Sequence, residues 1–197
     1  MSHHLYHTDG YILGSAPSGE ANKTLFLFTR DLGMIVAAVQ GVRFLKSKLR
    51  YHLQDFSECR VSLVRGREVW RLTNAALTTD LHREFSSRRE CLTPIANIFS
   101  LLRRLLHGEE KNEELFATLK VAFAFLSAET LSPDEVQSFE AILVLRVLKL
   151  LGYIGAHRET EQFLDHTTFS AELLALLKPV RREVLLTINR SLAETHL

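Results

Sequence analysis

Between Asp31 and Asp55 the chain carries Arg43, Lys46, Lys48 and Arg50 and no acidic residue. Guanidinium and ammonium groups in such a run can follow a phosphate backbone, and the rings of Phe44 and Tyr51 among them offer faces on which bases can stack. The run starts from Gly41 and contains Ser47. If all four cations touch single-stranded DNA, log K should fall with log salt at a slope of roughly −3. Composition by itself favours a blander reading. Most short basic runs are simply solvated, and rings such as Phe44 and Tyr51 are more often core than platform.

Other chemistries have less support. Gly14-Ser15-Ala16-Pro17-Ser18-Gly19, with Lys23-Thr24 beyond it, is a faint image of a phosphate-binding loop. That loop needs lysine directly after its second glycine, and Glu20 stands there instead. No HExxH or GxSxG occurs, so neither metallohydrolase nor serine-type chemistry is expected. Glu109-Glu110 and Glu113-Glu114 read as acids at a helix start, where the helix dipole favours them. Cys59 and Cys91 form no CxxC pair and read as ordinary buried thiols rather than a disulfide framework or a zinc cluster. Residues 1–9 hold His3, His4 and His7 but no apolar signal-peptide core, and they read as a frayed terminus. No run of ~18 apolar residues is present. The expectation is a cytoplasmic protein with no membrane partner, no catalytic residues, no cofactor and no metal.

The elements that must carry the basic run change character along the chain. With 46% hydrophobic and 24% charged residues, the 197-residue chain is that of an ordinary globular protein able to bury a core without staples. The net charge of +1 gives no hint of an anionic partner, but residues 1–80 hold ten Lys or Arg against seven acids and the remainder fourteen against sixteen. Residues 11–14, 24–29, 34–39, an alternating stretch around Cys59, Val61 and Leu63, and residues 69–73 read as five strands. Asp31-Leu32-Gly33 supplies a tight turn, with Gly33 suited to positive φ. Arg65-Gly66-Arg67-Glu68 supplies another, where for Arg65 and Arg67 a solvent-exposed role is as good a reading as an anion contact. Five short strands suit a small barrel of the OB type, and an SH3-like barrel would look similar.

From about residue 80 the apolar period becomes helical. Thr93-Pro94 reads as an N-cap with proline at the first helical position, ahead of a stripe of Ile95, Ile98, Phe99, Leu102, Leu105 and Leu106. Leu115, Leu119, Ala122, Phe123 and Leu126 form a second stripe. Ser132-Pro133-Asp134-Glu135 is a capping box, and the helix it opens is apolar nearly all round, hence central. Ser170 caps residues 171–177, Pro179 breaks the chain, and a last helix covers 180–193. The fold class expected is α+β: a five-stranded OB-type barrel over 1–79 followed by an all-α domain over 80–197.

Several segments together carry a family resemblance. They are Asp9-Gly10-Tyr11-Ile12-Leu13, Gly19-Glu20-Ala21-Asn22-Lys23, Leu27-Phe28-Thr29-Arg30-Asp31-Leu32-Gly33, Val39-Gln40-Gly41-Val42-Arg43, Lys46-Ser47-Lys48-Leu49-Arg50 and Leu53-Gln54-Asp55-Phe56. In order and spacing they resemble the N-terminal domain of the RecO family of recombination mediators. Leu148-Lys149-Leu150-Leu151-Gly152-Tyr153 is similar to the end of that family's central helix. Many members place a four-cysteine zinc cluster just beyond it; residues 154–168 contain no cysteine, and His157 and His166 alone cannot replace one.

The resemblance implies a non-enzymatic protein, acting as a monomer, that binds single- and double-stranded DNA and anneals complementary strands. It also implies that the protein helps load RecA together with RecR at DNA coated by single-strand-binding protein. Carried over by position, Arg43, Lys46, Lys48 and Arg50 become the first DNA contacts, and Lys23 and Arg30 the second. In that family the C-terminal tail of single-strand-binding protein docks on the helical domain. Arg103, Arg104, Arg146 and Lys149 could rim its groove, or snorkel to solvent instead. The competing expectation is a protein–protein adaptor whose barrel binds a peptide rather than DNA.

Overall fold

In the first eighty residues every second side chain is apolar over short stretches, and these stretches pair into one closed sheet. The computed structural model describes residues 4–155, 160–164 and 168–194. Its strands are β1 (Leu5–Ser18), β2 (Asn22–Thr29), β3 (Gly33–Val39), β4 (Ser57–Arg65) and β5 (Trp70–Asp80). β1 pairs antiparallel with β2 and with β4, β2 with β3, and β4 with β5. A short parallel step, Ala37 beside Trp70 and Ala38 beside Arg71, closes the barrel in the order β1-β2-β3-β5-β4. This is the five-stranded OB-type barrel, and closure leaves its sheet without an open edge.

Leu25 and Leu27 of β2, Ile35, Ala37 and Val39 of β3, and Cys59, Val61 and Leu63 of β4 alternate into one core with Ile12 and Trp70. Two strands are longer than their sequence suggests. β1 was expected over 11–14 but begins at Leu5, because its first half pairs with β4 and its second with β2. A register shift between Ile12 and Gly14 joins the halves. β5 was expected over 69–73 but runs to Asp80, with two register shifts against β4 that break the apolar alternation.

The helices are α1 (Leu81–Glu84), α2 (Arg89–Leu105), α3 (Glu113–Ala128), α4 (Pro133–Leu150), α5 (Glu161–Leu164), α6 (Ala171–Leu177) and α7 (Arg181–Glu194). Residues group into two compact units, one of 1–87 with 99–113 and one of 88–98 with 114–197. Residues 99–113 thus group with the barrel. There Phe99 meets the rings of Tyr11 and Phe56 at 5.8 and 5.7 Å, and Trp70 Nε1 donates to Glu109 at 2.9 Å. Glu109, expected at a helix start, instead takes this bond and an ion pair from Arg65 at 3.0 Å, while Glu113 is the first residue of α3.

In the second unit, α4 packs against α5, α6 and α7. The Ser132 side chain accepts from the Glu135 amide, and Glu135 accepts from the Ser132 amide at 2.8 Å, so the capping box is complete. Ser170 caps α6 with its hydroxyl alone, which accepts from the Leu173 amide at 3.2 Å. α2 departs from expectation: it starts at Arg89, not after Thr93, and Pro94 lies inside it. As the sixth residue of the helix, in its second turn, Pro94 removes the one bond its amide would give to the Glu90 carbonyl. Arg146 departs further. It is 3% exposed, donates to the Phe163 and Thr168 carbonyls at 3.0 and 3.1 Å, and lies over the Phe169 ring at 4.3 Å. It thus neither snorkels nor rims a groove.

Candidate nucleic-acid interface

The connection from β3 to β4, residues 40–56, holds the whole basic run, and its backbone is fastened at both ends. At its start Gly41 takes φ +64°, and its amide donates to Asn22 Oδ1 at 2.9 Å. The Arg43 amide donates to the Ala21 carbonyl at 3.0 Å. Val42 and Leu53 are sunk into the barrel core at 2% and 1% exposure, and Leu49 packs beside them. Between them runs a chain of turn bonds and a single 3-10 turn, Lys48–Tyr51. Gln54 Nε2 returns to the Arg50 carbonyl at 2.7 Å.

Phe56 ends the loop at φ +67°, a conformation strained for a ring-bearing residue. It is held there by its amide to the Ile12 carbonyl and by the Leu81 amide to its own carbonyl, at 2.9 and 3.2 Å. The segment Leu53-Gln54-Asp55-Phe56 thus has a physical basis: one residue sinks into the core, one ties back to the loop, and one clamps the exit.

With its backbone pinned, the loop displays its cations. Arg43, Lys46, Lys48 and Arg50 are all exposed, and none of them pairs with a carboxylate among the described residues. Arg43 Nη1 donates to the Gly19 carbonyl at 2.9 Å, which spreads its guanidinium toward the turn between β1 and β2. A concavity of about 390 Å³ is lined by Lys23, Val42, Arg43, Arg50 and Gln54. Three of the six sequence-derived candidates therefore share one depression, with Lys46 and Lys48 further along the same loop. On its other side Lys23 borders a depression with Asp55, Asp80 and His82.

Arg30 does not join them. It follows the far end of β2, seven residues from Lys23, which at ~3.3 Å per residue is roughly 23 Å along the strand. There it pairs with Asp9 at 3.2 Å and Asp31 at 3.4 Å, so its charge is already balanced. These pairs link the β2–β3 turn to Asp9 of β1.

Phe44 and Tyr51 do not enter the core. They are 62% and 69% exposed, and Leu45 between the cations is 83% exposed. A second basic surface includes Arg65 and Arg67, for which the sequence left an anion contact and simple solvation open. Arg65, Arg67 and Arg71 surround a depression of about 910 Å³ at the turn from β4 to β5, with Glu68 as its acid. Arg71 could not be grouped with the turn before the strand register was known.

Among the described residues no cluster of His, Cys, Asp and Glu is arranged to hold a metal ion, and His157 and His166 lie outside the described residues. Cys59 and Cys91 are buried free thiols, and burial pushes the Cys59 thiol up to about 12. Among the described residues no helix is long and apolar enough to cross a membrane.

Residues 1–80, the barrel, match the family model described as "Recombination protein O N terminal". The chain is 30% identical over 138 residues to the "DNA repair protein RecO" of Rubrobacter xylanophilus, across 60% of this chain and 54% of that protein. It is 33% identical over 140 residues to the protein of that name from Myxococcus xanthus, across 68% and 55%. To the one from Dehalococcoides mccartyi it is 30% identical over 159 residues, across 79% and 60%. The matched segments thus span a little over half the length of these curated relatives. With its barrel matched by the family model and its alignment to the relatives running into the helices, the chain belongs to the RecO family.

Proposed function

We propose that the chain is a DNA-repair protein that binds single- and double-stranded DNA through the loop between β3 and β4 and anneals complementary strands. In this reading it helps load RecA, with RecR, at DNA coated by single-strand-binding protein, and no bond is made or broken. The observation that carries the reading is the display of Arg43, Lys46, Lys48 and Arg50 on one pinned loop without a neutralising carboxylate among the described residues. Annealing needs the repulsion between two phosphate backbones cancelled on a surface that reads no base, and non-specific cations do that. OB barrels take nucleic acid on the face of strands 2 and 3 and on the β1–β2 and β4–β5 loops; Arg43 reaches the β1–β2 turn at Gly19, and Lys23, at the start of β2, borders the same depression as Arg43 and Arg50.

The test is a salt titration of full-chain binding to labelled single-stranded DNA, repeated with Arg43, Lys46, Lys48 and Arg50 all changed to Ala. The expected result is a slope of roughly −3 for the native chain, largely lost in the variant, with annealing of complementary oligonucleotides lost alongside. Salt-insensitive capture of a protein partner with no DNA shift would sink the reading in favour of a peptide-binding adaptor.

A further inference from the structure

We infer that the loop over residues 40–56 selects unpaired nucleic acid, stacking exposed bases on Phe44 and Tyr51 while the surrounding cations hold the backbone; this rests on the DNA-binding reading above. Leu45, Tyr51 and Phe44, at 83%, 69% and 62% exposure, are the three most exposed large apolar side chains among the described residues. All three sit on the loop that carries the unpaired cations. The same loop buries Val42 and Leu53 and tucks Leu49 against the core. It therefore has apolar anchors of its own and leaves these three outside them. Phe44 has one edge beside Gly41, whose φ is +64°.

A ring in this position can do something that a lysine cannot. In a duplex the base faces are covered by their neighbours, and reaching them means prying a step apart at a cost of a few kcal/mol. In a single strand the faces are available, and an aromatic platform accepts any of the four bases because each has a π-face. The cations attract both forms through their phosphates. Phe44 and Tyr51 therefore add affinity for one form only, without adding sequence preference, and Leu45 supplies an apolar edge beside the stacked base. The absence of acids from residues 32–54 suits an anionic occupant, and the exposed rings beside the cations suit one that carries bases.

The experiment uses fluorescence anisotropy on the full chain with three probes of equal length: a mixed-sequence single strand, a strand with abasic sites replacing its bases, and a blunt duplex. The native chain should hold the normal strand at least tenfold tighter than the abasic one. The double variant Phe44→Leu with Tyr51→Leu keeps the apolar area but removes the π-faces. It should bind the normal strand only as well as the abasic one, with duplex affinity and salt slope unchanged. Equal native affinity for normal and abasic strands, a preference that survives in the variant, or equal loss on strand and duplex would each overturn the stacking inference and leave the DNA-binding reading intact. If the native chain ignores all three probes, the DNA-binding reading itself fails.

Discussion

Gly33 links backbone conformation to packing in a single residue. It takes φ +67°, and a Cβ built there would lie 2.2 Å from the Glu110 carbonyl oxygen. Gly33→Ala combines left-handed strain with a collision against backbone, so it should cost at least about 2 kcal/mol in urea unfolding. The need for glycine was legible from the Asp31-Leu32-Gly33 turn, but the Glu110 backbone above it was not, since that contact spans the whole barrel sequence. Two residues earlier, Asp31 accepts from the Thr8 hydroxyl at 2.7 Å, and this bond, with Arg30 beside it, holds the carboxyl below its ordinary value. A depressed carboxylate pKa adds stability above the unfolded value and loses it as pH falls through the folded one. Thr8→Val should accordingly destabilise the chain at neutral pH, with the difference from native shrinking in acid below about pH 4 as Asp31 protonates in both states. A difference that persisted unchanged into acid would show that Thr8 acts through packing alone.

At the scale of elements, signals confined to a few neighbouring residues were readable and signals shared between elements were not. The capping box at Ser132 and the cap at Ser170 are local, and both helices begin where the side chains dictate. Arg146 is the opposite case. Along α4 it looks like a charge destined for solvent, but its carbonyl partners Phe163 and Thr168 come from the segment around α5, and burial pushes its guanidinium down to about 10. Arg146→Ala should destabilise by about 3 kcal/mol in chemical denaturation, because it leaves two carbonyls without their donor and empties the space over Phe169. Arg146→Met, which keeps the apolar stem, should lose less, and equal losses would contradict the packing account. In the barrel, β1 was underestimated because Thr8 and Asp9 interrupt its apolar pattern, although both lie within strand paired to β4.

At the scale of the whole molecule, a net charge of +1 conceals a local concentration of cations, so binding should respond to salt far more than the overall charge suggests. The four-cation variant should melt close to the native chain, since those side chains are exposed, form no ion pair among the described residues and give up only the Arg43–Gly19 hydrogen bond, while losing most of the salt slope; a collapsed melt would mark the loop as structural instead. By itself the sequence determined the barrel's five strands, the apolar faces of the helices, the acid-free basic run and the family. Each of these is written in local periodicity or in short motifs whose residues are chain neighbours. Only the tertiary structure decided which cations share a surface: Lys23 stands with Arg43 and Arg50, and Arg30 is spent on Asp9 and Asp31 at the far end of β2. It alone put Phe44, Leu45 and Tyr51 outside. The reason is physical: burial and charge pairing depend on which neighbours the closed barrel brings within a few ångströms, and many of those neighbours, as Asp9 is for Arg30, lie far away along the chain.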